Sequence, residues 1–166
     1  MKFRVVQVPV PSRARELAGL ERVDYADAFA VDVPVRQSPE EWIRLSAAAS
    51  PALFSAVRLA HHALGLPLAP PGSPDHLIGW NILRSDTEEA VLGNDGVFGT
   101  PRIVGLTPPG QVVVATLIQL NGFRGRTLWA AGAPVHRAVA RYILDKIPML
   151  APQPEARKHG KRGGPQ

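Results

Sequence analysis

Apolar and polar positions alternate over Tyr25-Ala26-Asp27-Ala28-Phe29-Ala30-Val31-Asp32-Val33, with Tyr25, Asp27, Phe29, Val31 and Val33 on one side. That period of two predicts a strand, which Pro34 ends. Before it, residues 1–22 read as an entry segment with a short strand at Phe3 to Val8 and a weak helical turn around Arg13 to Ala18. After it the pattern becomes helical. Ser38-Pro39-Glu40-Glu41 places an N-cap, a proline at the first helical position and a glutamate that completes a capping box. Trp42, Ile43, Leu45 and Ala49 supply the apolar stripe, and Ser50-Pro51 repeats the start for a second helix faced by Phe54, Val57, His61 and Leu64. Gly65 is placed to end it in the left-handed conformation. The proline-rich stretch from Pro67 to Pro74 continues neither helix.

Four strands are predicted next, at His76 to Ser85, Glu89 to Gly93, Val97 to Leu106 and Gln111 to Leu120. Asn94-Asp95-Gly96 suits a turn with positive φ, and Pro101 assigns its strand to an edge or a bulge. Val112 to Ile118 is apolar on both faces, which places that strand centrally. Residues 127–147 then read as one long amphipathic helix through Leu128, Val135, Val139, Tyr142, Ile143 and Ile147, with Pro134 marking a kink or the true start. The expectation is an α+β fold: a curved antiparallel sheet gripping a long C-terminal helix, with a helix pair after the first strand.

Composition adds limits. At 166 residues and 45% apolar the chain suits one core, burying roughly two-thirds of its unfolded surface. The divisions expected are an entry segment at 1–22, one domain at 23–150 and a disordered basic tail at 151–166. The absence of cysteine removes disulfides and thiolate chemistry. Residues 5–10 are too short for a signal-peptide core and no stretch reaches membrane-spanning length, so a cytoplasmic protein with no membrane span is expected. The net charge of +5 resides at the ends: residues 1–22 and 151–166 each carry +3, and residues 23–150 carry −1. A basic face for phosphates is therefore missing from the predicted core, and nucleic acid is not an expected partner. The tail run from Arg157 to Arg162 reads as a solubilising end.

Asp24-Tyr25-Ala26-Asp27-Ala28-Phe29, Val91-Leu92-Gly93, Asn121-Gly122-Phe123-Arg124-Gly125-Arg126 and His136-Arg137 resemble, in order and spacing, the bacterial DUF2867 family of uncharacterised proteins. The order of elements resembles the START-like (SRPBCC, polyketide-cyclase-like) helix-grip superfamily. The resemblance covers about residues 5–147. It implies a helix-grip fold and a small organic ligand, since similar domains occur fused behind short-chain-dehydrogenase-like modules. Four meander strands instead of the superfamily's usual six imply a smaller cavity, as do Gly99, Pro101 and Gly105 within one strand.

The candidate ligand-binding set is Trp80, Arg84, Thr116, Ile118, Asn121, Trp129 and His136, chosen because strand faces and the last helix should converge there on a mostly apolar wall with a few polar groups. His136 is the one catalytic candidate, as a base or hydrogen-bonding group near neutral pH. Its plainer role is to pin helix to sheet, with Arg137, by pairing with Asn121, Asp24 or Asp27, and an isolated histidine favours that role. His61-His62 are adjacent on a helix and diverge by about 100°, so no metal is expected. The turn from Asn121 to Arg126 could cradle an anion at a helix start, but matches no phosphate-loop pattern and reads more simply as a tight helix entry. Asp24 and Asp27 fall on opposite strand faces, against a carboxylate dyad. Ser46 and Ser55 lack a nucleophile elbow. The leading expectation is a domain binding a small, mostly apolar organic molecule or lipid, without a cofactor. A cyclase- or isomerase-type enzyme using His136 is the alternative, and a partner-binding module the third reading.

Overall fold

The computed structural model describes residues 4–66 and 68–150, so the predicted tail at 151–166 lies outside the described residues. The chain runs β1 (Val6–Gln7), α1 (Ser12–Ala18), β2 (Tyr25–Asp32), α2 (Pro39–Ala49), α3 (Pro51–Ala63), β3 (His76–Leu77), β4 (Trp80–Ser85), β5 (Glu89–Gly93), β6 (Gly99–Leu106), β7 (Gln111–Leu120) and α4 (Gly122–Leu150). All seven strands join one antiparallel sheet in the order β1-β2-β7-β6-β5-β4-β3. This α+β architecture, an open sheet with a long C-terminal helix across it, is consistent with a helix-grip arrangement.

The predicted central strand is central. β7 pairs with β2 over eight residues, from Tyr25 opposite Ile118 to Asp32 opposite Gln111, and with β6 on its other side. Alternation then divides the sheet into two faces. Ala28, Ala30, Val91, Val104, Val113, Ala115 and Leu117 form one, covered by Ala14 and Ala18 of α1. The alanines keep that layer thin, so a short helix suffices. Phe29, Val31 and Val112 form the other with Trp42, Leu144 and Ile147 from α2 and α4. Leu77, Trp80 and Leu92 continue it toward β3. The 1–22 segment is thus part of the sheet's packing through β1 and α1.

Local chemistry accounts for the element starts. Ser38 Oγ accepts from the Glu41 N–H at 3.3 Å while the Ser38 N–H donates to Glu41 Oε2 at 2.8 Å, completing the predicted capping box. Gly65 has φ +67° and follows the end of α3 as predicted. Ser50 begins α3 without a side-chain cap; its Oγ instead accepts from Lys146 Nζ of α4 at 3.3 Å.

Several boundaries differ from expectation. The single strand predicted from His76 to Ser85 is two, because Ile78 (φ +52°) and Gly79 (φ +90°) form a two-residue turn that pairs Leu77 with Trp80. Five strands, not four, therefore follow the helix pair. Pro101 lies in interior strand β6, neither at an edge nor at a bulge. Its carbonyl accepts from the Asn94 N–H at 3.5 Å. A strand residue's nitrogen and oxygen point the same way, so the missing N–H faces the end of β5, not the ladder with β7. The last helix starts at Gly122 instead of residue 127, with Pro134 inside it. Proline there frees the Ala130 carbonyl, and Ala130 is exposed to water.

Gly125 explains the early start of α4. A Cβ on it would stand 2.3 Å from the Phe98 carbonyl oxygen, so the helix backbone lies directly on the β5–β6 connection. Asn121 holds the same junction: its N–H donates to Phe98 O at 2.9 Å, and its Nδ2 reaches the carbonyls of Gly96 and Val97 at 3.4 Å. The Gly125→Ala variant is expected to lose about 2–4 kcal/mol through backbone overlap. Gly132→Ala, in the same helix but with open space at Cβ, is expected to gain about 0.5–1 kcal/mol from helix propensity. Denaturant midpoints of the two variants check both expectations.

Candidate functional site

Midway along α4, an apolar layer turns polar. Tyr25 and Asp27 of β2 point toward α4, two residues apart on the face that continues into Phe29 and Val31. Thr116 lies opposite Asp27 on β7, and Ile118 lies opposite Tyr25. From α4, Trp129 and His136 complete the group. The Trp129 ring is 4.8 Å from Tyr25 and 5.3 Å from His136, and Tyr25 meets His136 edge-on at 6.2 Å.

Asp27 is the centre of this arrangement and is 4% exposed. Its Oδ2 accepts from the Tyr25 hydroxyl at 2.5 Å and stands 3.6 Å from His136 Nε2. Three buried atoms in the cluster have no hydrogen-bond partner among the described residues: Asp27 Oδ1, Trp129 Nε1 and His136 Nε2. Each unpaired buried group costs about 1–3 kcal/mol. Two further atoms of this kind, Gln37 Oε1 and Trp42 Nε1, lie outside the cluster.

Burial alone would raise the Asp27 carboxyl and is the largest single influence, yet the approach of His136 to 3.6 Å, the hydrogen bond from Tyr25 and the charge of Arg137 together hold it below its ordinary value. Tyr25 moves the other way. Burial, then the bond to Asp27, raises its phenol to about 12, against the opposing influence of Arg137. Asp27 is therefore ionised and Tyr25 neutral across the physiological range.

A second polar group approaches from α3. His61 Nδ1–H donates to the Val57 carbonyl at 2.7 Å, and its ring stands edge-on to Trp80 at 5.4 Å. Burial lowers its pKa, and the nearby His136 lowers it further. α3 itself is lightly packed: it has no buried residue, and Leu53, Phe54, Val57 and His61 are only half-covered on the side it turns inward. His62 is exposed and shares no environment with His61.

Of the candidate residues, Thr116, Ile118, Trp129 and His136 gather around Tyr25 and Asp27, and Trp80 lies farther along the same face beside His61. Arg84 does not join them. A bulge between Ile82 and Arg84 sets Arg84 opposite Val91, on the α1 side of the sheet, where it pairs with Asp86 at 3.0 Å and Glu89 at 3.1 Å. Asn121 serves the helix junction instead. Of the three partners considered for His136, the structure selects Asp27. Asp24 lies outside the cluster, accepting from the Leu120 N–H at 2.8 Å and pairing with Arg22 and Arg126. Sequence reasoning left Tyr25 and Asp27 out of the candidate set. Their signal was present: an acid between aromatic residues on the apolar side of an alternating strand must be buried.

Among the described residues no helix is long and apolar enough to cross a membrane. Comparison with protein-family models, curated proteins and solved structures finds no match for this chain.

The folded Asp27 carboxyl lies below its unfolded value, so its contribution to stability is present above roughly pH 4 and is lost as pH falls further. The advantage of the wild type over Asp27→Asn in urea midpoint should shrink on acidification below that point. Tyr25 has the opposite sign: its folded value of about 12 exceeds the ordinary 10, so its contribution is full below pH 10 and lost as pH rises toward 12. Tyrosinate absorbance should show a phase near pH 12 that is missing from Tyr25→Phe.

Proposed function

We propose that this chain is a START-like helix-grip domain, related to the DUF2867 proteins, that binds a small, mostly apolar organic molecule between the sheet and the C-terminal helix. The observation that carries this reading is the grouping of Asp27, Trp129 and His136, where Asp27 Oδ1 and Trp129 Nε1 are buried without a hydrogen bond and His136 Nε2 has only the 3.6 Å contact with Asp27 Oδ2. Buried polar groups are nearly always satisfied in folded proteins, and a cluster left open suits a group supplied from outside. Half-buried Tyr25 and Trp129 form its rim, with Ile118 as apolar wall and Thr116 beside Asp27. An aromatic and aliphatic surface with a few polar groups is what a small-molecule site requires.

A second reading has its own support. Tyr25, Asp27 and His136 form a linked set of ionisable groups, at 2.5 Å and 3.6 Å, of the kind used to polarise a carbonyl and move a neighbouring proton. In a cyclase- or isomerase-type reaction His136 would take the proton, Asp27 would orient it, and Arg137 would stabilise developing negative charge. Exchange of hydrogen beside a bound ketone's carbonyl, abolished in His136→Ala, would favour this reading over binding alone.

Native mass spectrometry beside the denatured mass, with organic extraction of any released material, tests the proposal. A stoichiometric extra mass is expected, either as purified or after exposure to a panel of lipids and polyketides. Affinity should fall about tenfold or more in Trp129→Ala or His136→Ala variants that keep a native circular dichroism spectrum, as for loss of a central contact. A clean apo mass throughout the panel would overturn it.

A further inference from the structure

The hydrogen-bonding capacity of the open atoms specifies the polar end of the ligand, on the reading that this cluster is a binding site. Asp27 Oδ2 is occupied by the Tyr25 hydroxyl and faces His136, while Oδ1 is unpartnered. As part of a carboxylate, Oδ1 can only accept. Trp129 Nε1 is also buried and unpartnered, and an indole nitrogen can only donate. Both side chains meet the same two neighbours: Asp27 Oδ2 contacts Tyr25 and His136, and the Trp129 ring packs against both. One ligand group that satisfies both must give one hydrogen and take one.

A hydroxyl meets this requirement. A carboxylate has no hydrogen to give Asp27 and brings a second negative charge against a buried one, an arrangement that is strongly disfavoured. An ammonium satisfies Asp27 but has no lone pair for Trp129. A hydrocarbon leaves both atoms as they were. Arg137 does not reverse the charge argument, because its charge already acts on Tyr25 and on the Asp27 carboxylate. Asp24 is committed to Leu120, Arg22 and Arg126 and adds no free group.

We infer that the site takes a neutral, hydroxyl-bearing apolar molecule and rejects the carboxylate of the same skeleton. Tyr25, Trp129 and Ile118 receive the skeleton, and the hydroxyl bridges Trp129 Nε1 and Asp27 Oδ1.

Matched probes on two skeletons test this by calorimetry and tryptophan fluorescence at pH 7: naphthalene-2-methanol, 2-naphthoate, naphthalene-2-methylamine and 2-methylnaphthalene, then decanol against decanoate. The alcohol is expected to bind at least about tenfold more tightly than the carboxylate and the hydrocarbon, because a site built around a hydroxyl penalises analogues that lack it. Equal or tighter binding of the carboxylate overturns the inference and leaves the binding reading in place. Failure of every probe to bind overturns that reading, and the inference with it. Trp129→Phe keeps an aromatic ring without the N–H and should reduce the alcohol's advantage over the hydrocarbon by about tenfold; an undiminished advantage counts against the hydroxyl bridge. Asp27→Asn, where folded, should narrow the gap between alcohol and carboxylate. The wild-type comparison does not depend on either variant.

Discussion

The pairing of β2 with β7 is the constraint on which the rest of the structure depends. Eight residues of each strand lie opposite one another, and the side-chain period of two assigns each to one face. A slip of one residue would carry Phe29 and Val31 out of the layer under α2 and α4 and put alanines in their place. Asp27 would then face the alanine-rich layer under α1 and lose Tyr25 and His136. The register is thus held by the contrast between a thin, alanine-rich face and a thick, aromatic one. It also fixes which residues α4 meets.

α4 is fastened at both ends and carries Trp129 and His136 between them. At its start Gly125 rests on the Phe98 carbonyl and Asn121 clasps the same loop. At its end Leu144 and Ile147 pack with Trp42, Phe29 and Val112. Burying side chains of this size contributes roughly 1.5–3 kcal/mol apiece, enough to offset the unpaired atoms near the middle. His136 and Trp129 are held against Asp27 by those anchors, so the weak 3.6 Å contact is a consequence of the packing and not its cause. That division of labour frees the middle of α4 from holding the helix in place.

α3 has a different relation to the sheet. Without a buried residue, it is tied mainly through its termini: Ser50 to Lys146 at one end, and His61 against Trp80 with Gly65 near Val97 at the other. Elements with few buried apolar contacts open at lower free energy than the core. The inner side of α3 is therefore the part of the helical layer that yields most easily, and it lies beside the residues proposed to hold the ligand.

Much of the fold was legible along the chain. The capping box at Ser38 and Glu41, the glycine after α3, the alternation of β2 and the apolar run of β7 are local signals, because caps, turns and pleats depend on residues a few positions apart. The hairpin at Ile78-Gly79 was missed because isoleucine is a poor turn residue by itself and adopts positive φ only where the paired strands demand it. The candidate site was legible in part. Thr116, Ile118, Trp129 and His136 followed from strand faces and helix spacing, whereas Arg84 was misplaced by a bulge that reverses facing without marking the sequence. Sequence alone determined the periods, the starts and the face that Tyr25, Asp27 and Phe29 share. Only the tertiary structure decided that Asp27, and neither Asp24 nor Asn121, would meet His136, because that choice depends on where α4 crosses the sheet, and the crossing is set by the contact of Gly125 with a loop far away in sequence.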